Sequence, residues 1–274
     1  MKKISLKEHQ QIMLEIMTEF ADFCENNNLR YFLDAGTLLG AVRHKGFIPW
    51  DNDADVCMPR PDFDKLYILL EERNFKINDH LILEKPEDTI YPFFKIGDLR
   101  TRMVEFPDSF PVECYIYIDL FVKDGIPNNV KTAQRVCKKS GKLALWHWFY
   151  KYSIYKWPHE KNILKKLVAL LAKPFVKNHN RAYFKQKQFI QKINAKYPFE
   201  KCDSVTTLSN GEYYRKCKRS NFDDYVMLDF EGRKFRAPIG YRDWLTVLYG
   251  QNYMIPPSKD NQEVHNVIVE VPEE

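Results

Sequence analysis

Hydrophobic positions follow a helical rhythm, then a strand rhythm, then a helical one again. Ser5-Leu6-Lys7-Glu8 reads as a capping box, and Met13, Ile16, Met17, Phe20, Phe23 and Cys24 follow at helical spacing. The pattern predicts a first helix that stops in Asn26-Asn27-Asn28. A short strand in LRYFLDAGT comes next, then a turn at Gly36 and a short helix in TLLGAVRHKG that loops to Pro49-Trp50. DNDADVCM, residues 51–58, alternates as a strand does. Pro61, with Asp62 and Asp64, suits the first turn of a helix running to about Asn74. Residues 75–123 read as strand-rich, with FFKIGDLR, TRMVEF and CYIYIDLFVKDG as β-branched and aromatic runs. From about residue 127 helical spacing returns, with breaks at Pro158, Pro174 and Pro198. The tail from 202 is mixed, with a turn at Asn210-Gly211 and a helix in GYRDWLTVLYG. The expected fold is α+β: a head over 1–126, a mostly helical region over 127–200, and a C-terminal segment over 201–274 that packs back on the head.

Charge sharpens that division. The net charge is only +5, yet residues 131–200 hold 17 Lys and Arg against Glu160 and Glu200. The remainder has 25 basic and 35 acidic residues. An acidic part that holds cations and a basic part that meets an anionic surface are expected. ILKKLVALLAKPF joins a short apolar face to lysines, just after the ring-rich WHWFYKYSIYKW. That composition fits a helix lying in an anionic membrane interface. No nucleic-acid-binding motif is present, so nucleic acid is not an expected partner. MKKISLKEHQQIM lacks the apolar stretch of a secretory signal, and no run reaches the roughly 18 apolar residues of a spanning helix. The chain is expected to be cytoplasmic, or peripheral on the inner face of the cell membrane. Its six cysteines show neither C-x-x-C nor zinc-finger spacing and read as free thiols.

The chemistry concentrates in GFIPWDNDADVCMPRPDF. If the strand begins at Asp51, then Asp51, Asp53 and Asp55 share one face. Two carboxylates about 4 Å apart repel by roughly 4 kcal/mol at an effective dielectric of about 20. Protons or cations must offset that cost, and three acids on an extended segment suit a hard divalent cation. Gly36-Thr37 sits in a strand-to-helix turn whose N–H groups can hold phosphate. Asp119 interrupts the apolar strand YIYIDLFV, which is costly unless it is paired or metal-bound. In this order the three features point to two-metal phosphoryl transfer.

The order Gly36-Thr37, Asp53-x-Asp55, Asp119 resembles the nucleotidyltransferase superfamily. DAGTLLGAVRHKGFIPWDNDADVCMPRPDF, residues 34–63, more specifically resembles the signature of the LicD family, which includes bacterial phosphocholine transferases and fukutin-related protein. YIDLFVKDGIP and APIGYRDWLTVLYGQNYMIPP match later blocks, and His265 falls where the family often has a histidine. The resemblance implies a polymerase-β-like core with a mixed sheet, plus the basic helical insertion. It implies Asp53 and Asp55 as paired metal ligands, Asp119 as the third carboxylate, acting as metal ligand, base or both, and Gly36 and Thr37 as donor-phosphate binders. Asp51 would lie close behind the metals, Arg43 would balance phosphate charge, and Lys95 and Arg100 are weaker candidates of the same kind. The cofactor would be magnesium or manganese (Mg or Mn), two ions. The donor would be CDP-linked, CDP-choline first, and the acceptor a hydroxyl of a glycan or lipid-linked glycan. Asn52 and Ala54 depart from the family's usual residues, on the side expected to face away from the metals. A choline headgroup would need aromatic faces, and Trp50, Trp244 and the rings of 146–157 offer some, but core packing is the expected place of most of them and they define no choline cage.

Rival readings keep parts of this picture. A nucleotidyltransferase moving a nucleoside monophosphate would use the same acids. Phosphoribitol, phosphoglycerol or aminoethylphosphonate could replace phosphocholine. A glycosyltransferase would need a longer nucleotide-binding unit before its D-x-D, and a non-catalytic relative would lack a carboxylate.

Overall fold

A computed structural model describes residues 2–156, 180–258, 260, 262 and 266–272. ILKKLVALLAKPF and His265 lie outside the described residues. The spine is a pair of long antiparallel strands, β5 (Phe94–Glu105) and β6 (Val112–Ile126), in a mixed sheet that has nine strands among the described residues. Strand β3 (Asp55–Pro59) runs parallel to β6 over residues 119–123, and β2 (Phe32–Leu33) lies antiparallel beyond it. Two strands share the outer edge of β5: β4 (Leu81–Glu84) takes residues 95–98 and β11 (Val267–Val271) takes 102–105. Strand β1 (Lys2–Lys3) pairs with β11, β7 (Ser204–Thr206) with the end of β6, and β8 (Cys217–Lys218) with β7. A separate hairpin, β9 (Tyr225–Phe230) with β10 (Arg233–Pro238), packs beside β2. The fold is therefore α+β with a mixed sheet.

Period-two alternation along β6 sorts its two faces. Ile116, Ile118, Leu120 and Val122 enter the main core, with Phe20 and Met17 of α1 (Leu6–Asn26) and Phe63 and Leu66 of α3 (Arg60–Glu71). Tyr117, Asp119, Phe121 and Lys123 face the other way. Register shifts between Asp98 and Met103, where a bulge divides the β5–β6 ladder.

The capping box is present: Glu8 N–H donates to Ser5 Oγ (3.3 Å) and Ser5 N–H to Glu8 Oε2 (2.7 Å). Two expected boundaries move. The strand over 51–58 begins only at Asp55, and α3 stops at Glu71, followed by a turn with Asn74 and Phe75 at φ 52° and 64°. Helices α4 (Val130–Lys156) and α5 (Asn180–Lys196) pack on each other over a second core with Ile126, Cys137, Ile193 and Leu208. They dock on the 207–211 turn, where Ser140 Oγ donates to Leu208 O (2.6 Å) and Gln186 Nε2 to Ser209 O (2.8 Å). Gly211 has φ +70°, and a Cβ there would stand 2.2 Å from Gly141 N, so only glycine fits under α4. The six cysteines are free thiols. No helix among the described residues is long and apolar enough to cross a membrane.

Candidate functional site

The site begins where β2 turns sharply into α2 (Ala35–Arg43). Asp34 caps that helix, its Oδ1 accepting the Ala35 N–H (2.9 Å). The tight turn holds Ala35 at φ 37°, a left-handed conformation that costs a non-glycine residue about 1–2 kcal/mol. Gly36 N–H donates to Asp55 Oδ2 (3.1 Å). A Cβ on Gly36 would lie 3.0 Å from Asp51 Oδ2 and 3.6 Å from Asp55 Oδ2. The missing side chain thus lets two carboxylates close on the turn. Thr37, a candidate phosphate binder, has a buried side chain whose Oγ1 accepts the Asp55 N–H (2.8 Å). The hydroxyl thereby positions Asp55.

Asp51 and Asp53 precede the strand, so period-two alternation does not align them with Asp55. Their loop is braced from two sides. Gln10 Nε2 donates to Asp51 O (2.8 Å), and Glu231 of the β9–β10 turn accepts the Phe47 N–H (3.0 Å). All three acids nevertheless reach one cleft of about 440 Å³, with Gly36, Arg43 and Trp50. Asp119 sits directly opposite Asp55 in the parallel β3–β6 ladder and donates its N–H to Ala54 O (2.8 Å). It stands beside Asp55 rather than in the cleft wall. Lys95 lies opposite Asp119 on β5, so Asp55, Asp119 and Lys95 form a row across three strands. Lys95 Nζ is 3.2 Å from Asp119 Oδ1 and lies over the rings of Tyr91 and Tyr117, at 3.9 and 3.0 Å from their centroids. Lys95, a candidate phosphate-charge partner, is buried against this carboxylate.

Burial pushes the Asp55 carboxyl well above its ordinary range, and the negative charges of Asp53, Asp119, Asp34 and Asp51 push it further. Asp119 rises to about 6, from burial first and then from Asp53, with Lys95 opposing. The Tyr249 hydroxyl is also raised, by burial and then by the same acids. The leading charged neighbours of Asp55 are other carboxylates, a cost that a bound cation would relieve. The all-oxygen donor set suits a hard divalent ion. Among the described residues no three His, Cys, Asp or Glu side chains are already drawn together as a coordination shell. Asp55 Oδ2 is turned to the Gly36 N–H and Asp119 Oδ1 to Lys95.

The remaining candidates separate. Arg43 lines the cleft and donates from Nη1 to Tyr253 O (3.0 Å). Arg100 grips Asp98 (2.6 Å) and does not line the cleft. Trp50 lines the cleft, edge-on to His44, whereas Trp244 is buried and its Nε1 donates to Asp34 Oδ1 (2.5 Å). Trp146, Trp148 and Phe149 lie exposed on α4. Sequence reasoning missed Tyr249, Asn252 and Tyr253, which line the cleft from α6 (Tyr241–Tyr249) and the turn after it. It also missed the buried Asp34–Lys123 pair (2.6 Å). Only the YRDWLTVLYGQNYMIPP block hinted at the former, and no local pattern marked the latter.

Residues 28–160 match the family described as LicD/FKTN/FKRP, nucleotidyltransferase domain. The chain is 30% identical over 275 residues, 97% of each chain, to the lipopolysaccharide cholinephosphotransferase LicD of Haemophilus influenzae. The chain belongs to the LicD family. It is also similar to an uncharacterized protein of Rickettsia typhi, 29% identical over 126 residues that cover 42% of this chain and 40% of that one. The LicD-family match spans Gly36, the three cleft acids, Lys95 and Asp119. Tyr249, Asn252 and Tyr253 fall beyond it, within the length shared with the Haemophilus protein.

Proposed function

We propose that the chain is a metal-dependent transferase. It moves a phosphocholine-type group from a CDP-linked donor to a hydroxyl of a cell-surface glycan or its lipid-linked precursor. The observation that carries this reading is the crowding of Asp51, Asp53 and Asp55 around a glycine turn, with Asp119 in register beside Asp55. The near full-length likeness to a lipopolysaccharide cholinephosphotransferase supports the choice of group. The strand-to-helix turn at Gly36, beside the parallel β3–β6 pair, supports reading the sheet as a polymerase-β-like nucleotidyltransferase core.

Asp53, Asp55 and Asp119 would hold magnesium or manganese, two ions. Bound there, the ions supply positive charge that offsets the donor phosphates and favours the ionised acceptor oxygen. Asp119, set in register beside Asp55, would serve as ligand, as the base that takes the acceptor's proton, or as both. The acceptor oxygen forms a bond to the phosphorus that carries choline, the bond from that phosphorus to CMP breaks, and CMP leaves. Arg43 faces the same cleft and balances phosphate charge. Trp50, Tyr249 and Tyr253 offer ring faces to the cationic headgroup or the cytosine.

The family description favours one second reading, transfer of a nucleoside monophosphate by the same acids. Incubation with labelled CDP-choline and, separately, labelled CTP decides between them. The expected result is choline label on the glycan, lost with EDTA and in Asp53→Ala and Asp55→Ala proteins that keep their circular dichroism. Nucleotide label from CTP would select the rival. Choline transfer that survives both substitutions would overturn the metal site.

A further inference from the structure

The row of charges that starts at Asp55 does not end at Lys95. Glu84 of β4 stands directly opposite Lys95, so Asp55, Asp119, Lys95 and Glu84 share one face across four strands. Gly97 lies two residues along β5 on the same face and leaves the Glu84 carboxylate its place: a Cβ there would stand 2.9 Å from Glu84 Oε2. Lys95 is thus set between two carboxylates.

Glu84, Asp88, Glu105 and Glu113 line a cavity of about 40 Å³ together with Lys95. A water needs only about 10–15 Å³, so the ammonium has room to move. Three of the four acids are engaged elsewhere. Glu105 Oε1 accepts the hydroxyls of Tyr91 (3.0 Å) and Tyr117, Asp88 lies 3.9 Å from Lys85, and Glu113 lies 2.6 Å from Arg102. Three atoms of the row are buried without an aligned hydrogen-bond partner among the described residues: Glu84 Oε2, Lys95 Nζ and Asp119 Oδ1. Burial pushes the Glu84 carboxyl up to about 7; Lys95 opposes the rise, and Asp88, Glu105 and Asp119 add to it. Lys95 likewise opposes the rise at Asp119, so both acids draw on the same ammonium.

An ammonium 3.2 Å from Asp119 opposes any further positive charge at that carboxylate. We propose that Glu84 is a positioning residue that takes over Lys95 when Asp119 turns to a cation. The ammonium swings across β5 from one carboxylate to the other, and Asp119 Oδ1 is freed for the ion. The lysine keeps a counter-charge in both states. This inference rests on the reading of Asp119 as a metal ligand.

Mn²⁺ binding followed by electron paramagnetic resonance tests it, at pH 8, where Glu84 is ionised. Glu84→Gln should weaken binding at least about tenfold, and Glu84→Asp should restore part of the loss. In a Lys95→Met background Glu84→Gln should change the affinity less than about twofold, because no ammonium is left to receive. The wild type carries its own readout. The side-chain signal of Lys95, shielded by the rings of Tyr91 and Tyr117 and located by its loss in Lys95→Met, should move on saturation with Mg²⁺. Wild-type protein that binds no Mn²⁺ would overturn the metal reading and this inference with it. Wild-type binding that Glu84→Gln leaves unchanged, an equal loss in both backgrounds, or a Lys95 signal unmoved by Mg²⁺ would overturn the role of Glu84 alone.

Discussion

Two buried lysine–carboxylate pairs lie four residues apart along one face of β6, and they are built differently. In Asp34–Lys123 every group is engaged. The ammonium lies 2.6 Å from Asp34 Oδ2 and 4.4 Å from the Trp244 ring, and the other carboxylate oxygen takes the Ala35 N–H and Trp244 Nε1. Burial alone would push Lys123 toward neutrality, yet the Asp34 charge, the neighbouring Cys57 and Cys217 and the hydrogen bond to Asp34 together hold the ammonium above its ordinary range. In Lys95–Asp119 the ions stand 3.2 Å apart without hydrogen-bond alignment, and ring faces supply much of the rest. A saturated pair holds the fold together. A loosely held one can exchange its partner for a ligand. Equal burial therefore does not mean equal function; what decides is how many of the carboxylate's partners are already committed.

The largest expected effect tests the saturated pair. Asp34→Ala strands a buried ammonium and should cost about 3–5 kcal/mol in urea unfolding. Lys95→Met should cost clearly less. Equal losses would break the comparison. Next comes pH. Asp119 titrates near 6 in the fold against an ordinary value of 3.8, so between about pH 4 and 6 the native state binds more protons than the unfolded one. The metal-free protein should therefore lose melting temperature as pH rises through that window and level off above it. Asp55, also raised, acts in the same direction. Lys95→Met removes the charge opposing the Asp119 shift and should move the window alkaline; Asp119→Asn should flatten the slope. The smallest effect belongs to Gly36→Ala. Its Cβ would press on Asp51 Oδ2 at 3.0 Å and displace the acids slightly. The magnesium concentration for half-maximal activity should rise several-fold, with stability changed by under about 1 kcal/mol.

Much of this was legible in the residue order. Alternation in YIYIDLFV placed Asp119 among strand residues, and the β3–β6 register then set it opposite Asp55. The first helix was readable from its capping box and apolar spacing because both are local. The onset of the strand at Asp55 was not, because pairing with β6 rather than the D-x-D-x-D spacing decides where the ladder starts. Asp34 was hidden for a related reason: its partners lie 89 and 210 residues away, at Lys123 and Trp244. The same distance hid the split between Trp50, which lines the cleft, and Trp244, which braces the turn. Burial separates them, and burial is a property of the assembled chain.

The bulge between Asp98 and Met103 has a consequence for how this sheet tolerates change. On its near side Lys95 faces Asp119; on its far side Met103 faces Cys114, in a different phase. A misfit arising at the hairpin tip is absorbed there before it reaches the acids. Evolution can therefore remodel the distal end of the β5–β6 hairpin while the proximal end keeps time.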